Sequence, residues 1–444
     1  MKTPRPAAVA AAVCGLAAAW CFRPILSHGF VNLEDYWLIL DNIHLRSLGT
    51  AQLRWMATSL EYGTYQPLGW LAYALIHRVA GVNPAAYHLG SWLAHIACTF
   101  LLVQCTLRIL RAAAPASSER DLALACAAAA LTWALHPQRV EQVAWATGLP
   151  DVLAIFFFLA AALAYLDMSP GRRRLALVFM LFLVSSLFRW KGVVLPVVLI
   201  LLDAHILKRS LRRDAWIEKI PFFLAAAIFS ALNARSKLLL APGHAFDFGL
   251  RALAGPVFYL GKLLLPFHLT VDYQIPASLP LAAVFLALSA AAFTRRATVG
   301  AAWLSFVAAL SPALLMSYHG AVTGHDRAAY LPAMSLHLLL AGGLLQVLRR
   351  GRQARQAALA AAACVVLTLT WLTRAQLPVW RDCESLWRHV LAQPAPPDYA
   401  HLSLAHALLE QGRGHEAAAE LREQLRLIPG DPRVESLAKE LGRR

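Results

Sequence analysis

The chain has 444 residues, of which 59% are hydrophobic and only 15% charged. A soluble domain runs nearer half apolar and a quarter charged, so the composition excludes an ordinary soluble enzyme and marks a polytopic α-helical membrane protein. The formal charge is +16, yet from Leu377 onward nine Lys or Arg stand against ten Asp or Glu. The excess therefore lies in short clusters between apolar runs, as the positive-inside rule expects and nucleic-acid binding does not.

Lys2 and Arg5 precede an apolar run from Ala7 to Ile25. That run is longer than a signal-peptide core and no small-residue cleavage site follows it, so it reads as a retained first span. Further runs at 88–107, 122–136, 149–167, 174–188, 191–207, 217–234, 279–294, 298–316, 330–348 and 357–376 bring the expectation to about eleven spans. The run 251–266 carries two charges, two glycines and two prolines and reads as interfacial or re-entrant.

Basic clusters set the expected orientation. Arg108/Arg111/Arg120, Arg172–Arg174, Lys208/Arg209/Arg212/Arg213, Arg295/Arg296 and Arg349/Arg350/Arg352/Arg355 all fall on alternate connections. These are the inner ones if the N-terminus is cytoplasmic. The expected location is a cell membrane, a bacterial inner membrane, with the C-terminus extracytoplasmic. Seven cysteines show no CxxC or Cys/His spacing, so neither a disulfide framework nor zinc is expected.

The first outer loop, 27–87, has two amphipathic stretches, Leu48–Leu60 and Pro67–Val79, rich in Trp and Tyr. Such helices lie in the membrane interface, as ordinary aromatic belts do. Beyond Gln393–Asp398, a proline-rich breaker, two helical patterns flank Gly412-Arg-Gly414 and close at Pro429. Leu404, Ala405, Gly412, Glu416, Ala417, Leu425 and Pro429 follow the tetratricopeptide (TPR) pattern, and a third helix is expected over Pro432–Leu441. A plain helical hairpin is the alternative. One repeat cannot bury its own apolar face, so it must dock on the membrane part, on Trp380–Ala392 or on a partner. The division expected is 1–376 for the membrane domain and 377–444 for the tail.

Five polar islands interrupt the outer-side sequence. They are Asn32–Asp35, His136–Glu141 with Trp145, Asp151, Arg189-Trp190-Lys191, and His325-Asp326-Arg327. Each alone has an ordinary reading as a loop cap, a span stop or a snorkelling cation. Together they point to a polar site at the outer membrane surface. Adjacent carboxylates Glu34 and Asp35 suit proton abstraction or a metal. Guanidinium and ammonium groups at Arg189, Lys191 and Arg327 suit a phosphate. No Gly-rich nucleotide loop is present, which argues against nucleotide hydrolysis.

With these residues in view, the chain resembles the transmembrane-and-TPR glycosyltransferases of the GT-C superfamily, alongside protein O-mannosyltransferases. The segments that carry the resemblance run from Phe30–Asp35 through Tyr65–Leu68, Leu135–Pro137, Val140–Trp145, Asp151–Leu153, Leu195-Pro196 and Tyr259–Lys262 to Asp326–Pro332. The implied fold is all-α, a GT-C-like polytopic bundle with a short TPR-like tail. The implied activity moves a sugar, with mannose one candidate, from a polyprenyl-phosphate donor to a hydroxyl on a protein or glycan acceptor outside the cell. Divalent-metal dependence is left open, with no metal ligand assigned.

Asp35 matches the family's catalytic carboxylate; Leu33 and Glu34 stand where the usual pattern is Tyr-Asp. Arg327, Arg189 and Lys191 are the implied lipid-phosphate ligands. His136, Glu141, Asp151 and Asp326 are the implied substrate-binding residues. Arg189-Trp190 and Leu149 depart from the family's Lys-Glu/Pro and Arg. The resemblance also implies membrane-lipid contact and leaves the tail as a place for a protein partner. The competing expectations are a catalytically degenerate scaffold that recruits a partner through the TPR, and a transporter. The transporter is disfavoured because the charges lie at span ends, without repeated halves.

Overall fold

A computed structural model describes residues 6–167, 171–209, 213–240, 244–246, 249–314, 316–318 and 323–441. Lys2, Arg5, Arg212 and part of the connection before His325 lie outside the described residues. The chain starts with α1 (Pro6–Phe22), which stops at Arg23-Pro24 because proline there cannot continue the hydrogen-bond ladder. The loop that follows holds Asn32–Asp35 and two short helices, α2 (Thr50–Thr58) and α3 (Pro67–Ala80). These match the two amphipathic stretches. Next come α4 (Pro84–Ala113), α5 (Glu119–Ala134), the short α6 (Arg139–Ala144), α7 (Leu149–Asp167), α8 (Arg172–Phe188) and α9 (Leu195–His205). Caps set their starts: Asn83 accepts from Ala85 N–H, and Ser118 from Asp121 N–H.

The second half of the body holds α10 (Arg213–Ile217), α11 (Ile220–Leu240), α12 (Leu250–Leu264), α13 (Leu279–Arg295), α14 (Ala297–Leu314), α15 (Ala333–Leu348) and α16 (Arg352–Gln376). Two small antiparallel ladders tie its connections. β1 (His244–Phe246) pairs with β3 (Met316–Tyr318), and β2 (Tyr273–Gln274) with β4 (Thr323–Gly324). The ambiguous run 251–266 is α12, a continuous helix around Pro256.

Each of the eleven apolar runs forms a helix over most of its length, 298–316 giving way to β3 at Met316 and 330–348 becoming helical from Ala333. Among the described residues six segments are long and apolar enough to cross a bilayer unaided: Pro6–Ser27, Pro84–Ala113, Ala146–Asp167, Arg213–Leu240, Ala297–Leu314 and Arg352–Trp380. Helices α13 and α15 are shorter apolar ones. The protein is thus an all-α, multi-pass membrane protein. Its core is built on small residues: Ala11, Cys14, Ala18 and Cys21 of α1 are wholly buried, which lets α1 approach its neighbours closely. Large apolar side chains such as Trp20, Leu224, Leu367 and Trp371 stay exposed, as lipid-facing residues must. Helices α4, α7, α9, α14 and α15 line a half-open apolar cavity of about 470 Å³ that reaches Leu331 and Pro332.

The tail holds α17 (Cys383–Leu391), α18 (Ala400–Glu410), α19 (Gly414–Leu427) and α20 (Pro432–Leu441). Gly412, at φ 75°, makes the left-handed turn between α18 and α19. Leu404, Ala405, Leu408, Ala417 and Leu421 share one continuous core with Trp380, Trp387, Trp145 and Val31. The single repeat therefore buries its apolar face on α17 and on the membrane body.

Candidate functional site

All five polar islands meet at one end of the bundle, the end on which the tail docks. Asp35 is the most enclosed. Its Oδ2 accepts the Val31 N–H at 3.0 Å and its Oδ1 the Thr147 N–H at 3.0 Å, so it bolts the first loop to the corner between α6 and α7. Gly148 makes that corner possible: a Cβ there would stand 2.2 Å from the Gln142 carbonyl oxygen. Burial pushes the Asp35 carboxyl up to about 7, against the two amide bonds and with a smaller push from Glu34. A base with a pKa near the working pH is the efficient one. Glu34 is more open, its side chain 30% exposed, with Oε1 3.9 Å from the Arg327 guanidinium.

Arg327 is the hub. One arm is bound by Glu141, whose other oxygen accepts the Arg327 backbone N–H at 3.0 Å. The guanidinium lies 4.8 Å from the Trp145 ring centre, a cation–π distance. The remaining arm faces Glu34. Glu141 is nearly inaccessible while Arg327 is half-buried, so removing the cation would leave a buried carboxylate without its partner. Asp326 turns away from its neighbour Arg327. It accepts from Tyr273 Oη at 2.9 Å and from Gln138 Nε2 at 3.4 Å, and burial, then Glu141's charge, holds its carboxyl above the usual range.

Asp151, at the head of α7, pairs with Arg189 at 3.3 Å and Lys191 at 3.1 Å. Arg189 also donates to Gln66 and Lys191 to Gln142. These two cations stand over a buried carboxylate that offsets one of their charges. His136 differs in kind. Its Nδ1 accepts the Gln138 N–H at 3.2 Å, so its Nε2 carries the proton and donates to the Leu263 carbonyl at 2.9 Å. Both ring nitrogens are thus engaged in tying the α5–α6 connection to α12.

The sequence reading passed over several residues. Lys237, near the end of α11, lies within electrostatic range of Glu34, Arg189, Arg327 and Lys191. Its signal was a polar cluster, Asn233, Arg235, Ser236 and Lys237, at the end of an otherwise apolar helix. Arg139 is wholly buried, its guanidinium 5.8 and 5.6 Å from the Trp133 and Tyr330 ring centres. Asp272 pairs with His325 at 2.9 Å and accepts from Tyr399 of the tail. Among the described residues no group of three His, Cys, Asp or Glu converges as metal ligands would. The arrangement sets a carboxylate of near-neutral pKa, Asp35, next in the chain to Glu34, which faces the Arg327 guanidinium, and this suits transfer from a phosphate leaving group.

No protein-family model matches the chain. Human "Protein O-mannosyl-transferase TMTC1" is 26% identical over 96% of this chain and 55% of its own length. The mouse TMTC1 is 33% identical over 36% of this chain and 17% of its own length. Human "Protein O-mannosyl-transferase TMTC4" is 28% identical over 34% of this chain and 22% of its length. The chain thus spans about half the length of human TMTC1. The crystal structure of ArnT from Cupriavidus metallidurans bound to undecaprenyl phosphate aligns over 98% of this chain and 74% of its own, at 14% identity and a TM-score of 0.43.

Proposed function

Because the chain is homologous to the TMTC protein O-mannosyl-transferases along nearly its whole length, we propose that it is a membrane glycosyltransferase of the GT-C type. It takes a sugar, mannose first among candidates, from a polyprenyl-phosphate donor and delivers it to a hydroxyl of an extracytoplasmic protein. The observation that carries this reading is Glu34, next to the enclosed Asp35 in the chain, facing the Arg327 guanidinium at 3.9 Å. The membrane body, 1–376, does the chemistry, and the tail, 377–444, stands beside it. The orientation proposed has the N-terminus in the cytoplasm and the site and tail outside.

In the step proposed, the acceptor oxygen attacks the anomeric carbon as the bond from that carbon to the phosphate oxygen breaks. Asp35 takes the hydroxyl proton and the phosphate leaves with the bonding electrons. A single displacement inverts the anomeric centre. Arg327 offers the phosphate the donors that Glu141 leaves free, an arrangement a lysine cannot reproduce. Arg189 and Lys191 add charge from the α8–α9 side. His136, Glu141, Asp151 and Asp326 shape and hold the walls. The apolar cavity reaching Leu331 and Pro332, just past Arg327, would take the near part of the polyprenyl chain.

The test uses purified full-length protein, radiolabelled polyprenyl-phosphate mannose and an extract of host membrane proteins. Asp35→Asn should lower transfer by about 10²–10⁴, with Glu34→Gln lowering it less. Near-parental transfer by Asp35→Asn would remove the assignment. Glu34 has a second claim, since it is the more exposed carboxylate. If Glu34→Gln is the dead variant and Asp35→Asn the live one, Glu34 takes the proton and Asp35 only holds the loop.

A further inference from the structure

The loop bearing the carboxylates is gripped from outside the membrane body by residues more than 340 positions away. Asn32 is the grip point. Its side-chain oxygen accepts the Trp387 indole N–H at 2.5 Å, and its amide NH2 donates to the Ser403 carbonyl at 2.9 Å. Its backbone N–H points at Cys383 Sγ at 3.2 Å, and that thiol meets the Phe30 carbonyl at 3.6 Å. Gly29 N–H donates to the Arg381 carbonyl at 2.8 Å, and Tyr36 Oη donates to Glu410 at 2.7 Å. The tail holds the opposite wall as well: His389 bonds the Leu269 carbonyl at 2.8 Å, and Tyr399 donates to Asp272. Residues 269–273 lead to Tyr273, which holds Asp326.

A loop that only needed covering would be covered by apolar packing. This one is held through both side-chain ends and the backbone amide of Asn32, one residue after the amide that Asp35 binds. Trp387 is wholly buried, so its indole N–H has no water to turn to and its direction is fixed by Asn32. The tail and the α6–α7 corner thus grip the loop from two sides, with the carboxylates between them.

We propose that Trp387 is a positioning residue for the transfer step: through Asn32 the tail sets where the Glu34–Asp35 pair stands. The tail is then a part of the catalytic unit and not solely a docking arm. This rests on the reading that the loop carries the base.

The experiment measures the full-length protein in lipid nanodiscs, with radiolabelled polyprenyl-phosphate mannose as donor and the host membrane-protein extract as acceptor. Trp387→Phe keeps an aromatic ring, though a smaller one, and removes the N–H. Its turnover should fall about 10- to 100-fold, as a small misplacement of a reacting group does, with the donor KM unchanged. Amide exchange across residues 30–36 should quicken while that of α7 does not. Leu437→Ala, at a buried position of α20 at the far end of the tail, should leave turnover and exchange at the site as they were. If Trp387→Phe does not fold, Tyr36→Phe carries the test, with the same signature at a smaller size.

Parental turnover and exchange in a folded Trp387→Phe or Tyr36→Phe protein would overturn the proposal. So would a loss in Leu437→Ala as large as in Trp387→Phe, because any tail damage would then do the same. The arms Asp35→Asn and Glu34→Gln separate the two failures. If both transfer normally, the loop carries no base and the proposal falls with that reading. If they are dead while Trp387→Phe is not, only the proposal falls.

Discussion

The two ends of the helix bundle use the same residue types to opposite effect. At the end away from the tail, Asp203 is wholly buried and saturated. It accepts from Tyr165 Oη at 2.8 Å, from Lys219 Nζ at 2.6 Å and from Arg209 at 3.2 Å, and Arg209 goes on to Glu218 at 3.0 Å. Arg174 closes the group by lying over the Tyr165 ring at 4.3 Å. At the tail end, Arg327 is held by one carboxylate and faces another at 3.9 Å, and Asp35 is held by two backbone amides with no ion-pair partner among the described residues. A buried carboxylate whose acceptor sites are all engaged rigidifies a fold. A site that keeps donors and a raised carboxyl in reserve has capacity left for a ligand and a proton.

After the carboxylates themselves, the largest effect at the site end should come from Arg327→Ala. Removing a preorganised donor from a developing charge costs about 10²–10³ in turnover. Arg327→Lys should recover part of that, and apparent donor affinity should weaken in both. If both variants keep parental kinetics, Arg327 is only an anchor paired with Glu141.

At the other end the same chemistry should fail differently. Lys219→Ala leaves Asp203 buried with part of its compensation gone, which costs about 3–5 kcal/mol of stability. Chemical unfolding should show that loss, while the protein that remains folded transfers at the parental rate. A large loss of turnover without a loss of stability would erase the distinction between the ends.

The pH dependence separates the two ends without mutation. Asp35 ionises in the fold near pH 7, against about 3.9 for an unperturbed aspartate. Transfer needs its ionised form, so the rate should climb through about pH 7. Stability runs the other way. A carboxyl raised in the fold contributes stability that is full at low pH and is lost as pH rises through its folded pKa. Asp326, also raised, adds in the same direction. Unfolding midpoints should therefore fall between about pH 6 and 8 while activity rises. A midpoint that rises over that window would mean that neither group is buried as protonated acid.

The smallest perturbation tests the frame itself. A cysteine at Asp398, exposed on the tail, should react with a membrane-impermeant maleimide from outside intact cells. Labelling only after the membrane is opened would put both tail and site on the cytoplasmic face.

Much of this was legible in the sequence because the membrane imposes a strong code. Apolar length placed the helices, and charges within apolar runs marked the five islands, since a bilayer tolerates such residues only for cause. The run that became α12 was hard to read, because two prolines, two glycines and two charges each argue against a span while none prevents a helix. Pairing was not legible. Arg327 binds Glu141, 186 positions back, while its neighbour Asp326 turns to Tyr273. Nothing local sets those partners; the packing of α6 against the turn before α15 does. The repeat's need for a partner surface was clear from its single copy, but that Asn32 would be the meeting point depended on a contact across nearly the whole chain.

The central claim is that the tail end is chemical and the far end structural. The most direct measurement compares Asp35→Asn with Asp203→Asn in one assay, reading mannose transfer per folded molecule and unfolding midpoint for each. The expected result is an Asp35→Asn protein that still folds, less stably because an amide keeps only one of the two bonds to Val31 and Thr147, and transfers about 10²–10⁴ times more slowly per folded molecule, beside an Asp203→Asn protein that unfolds earlier yet transfers normally while folded. An active Asp35→Asn protein, or a stable Asp203→Asn protein that has lost transfer, would contradict it.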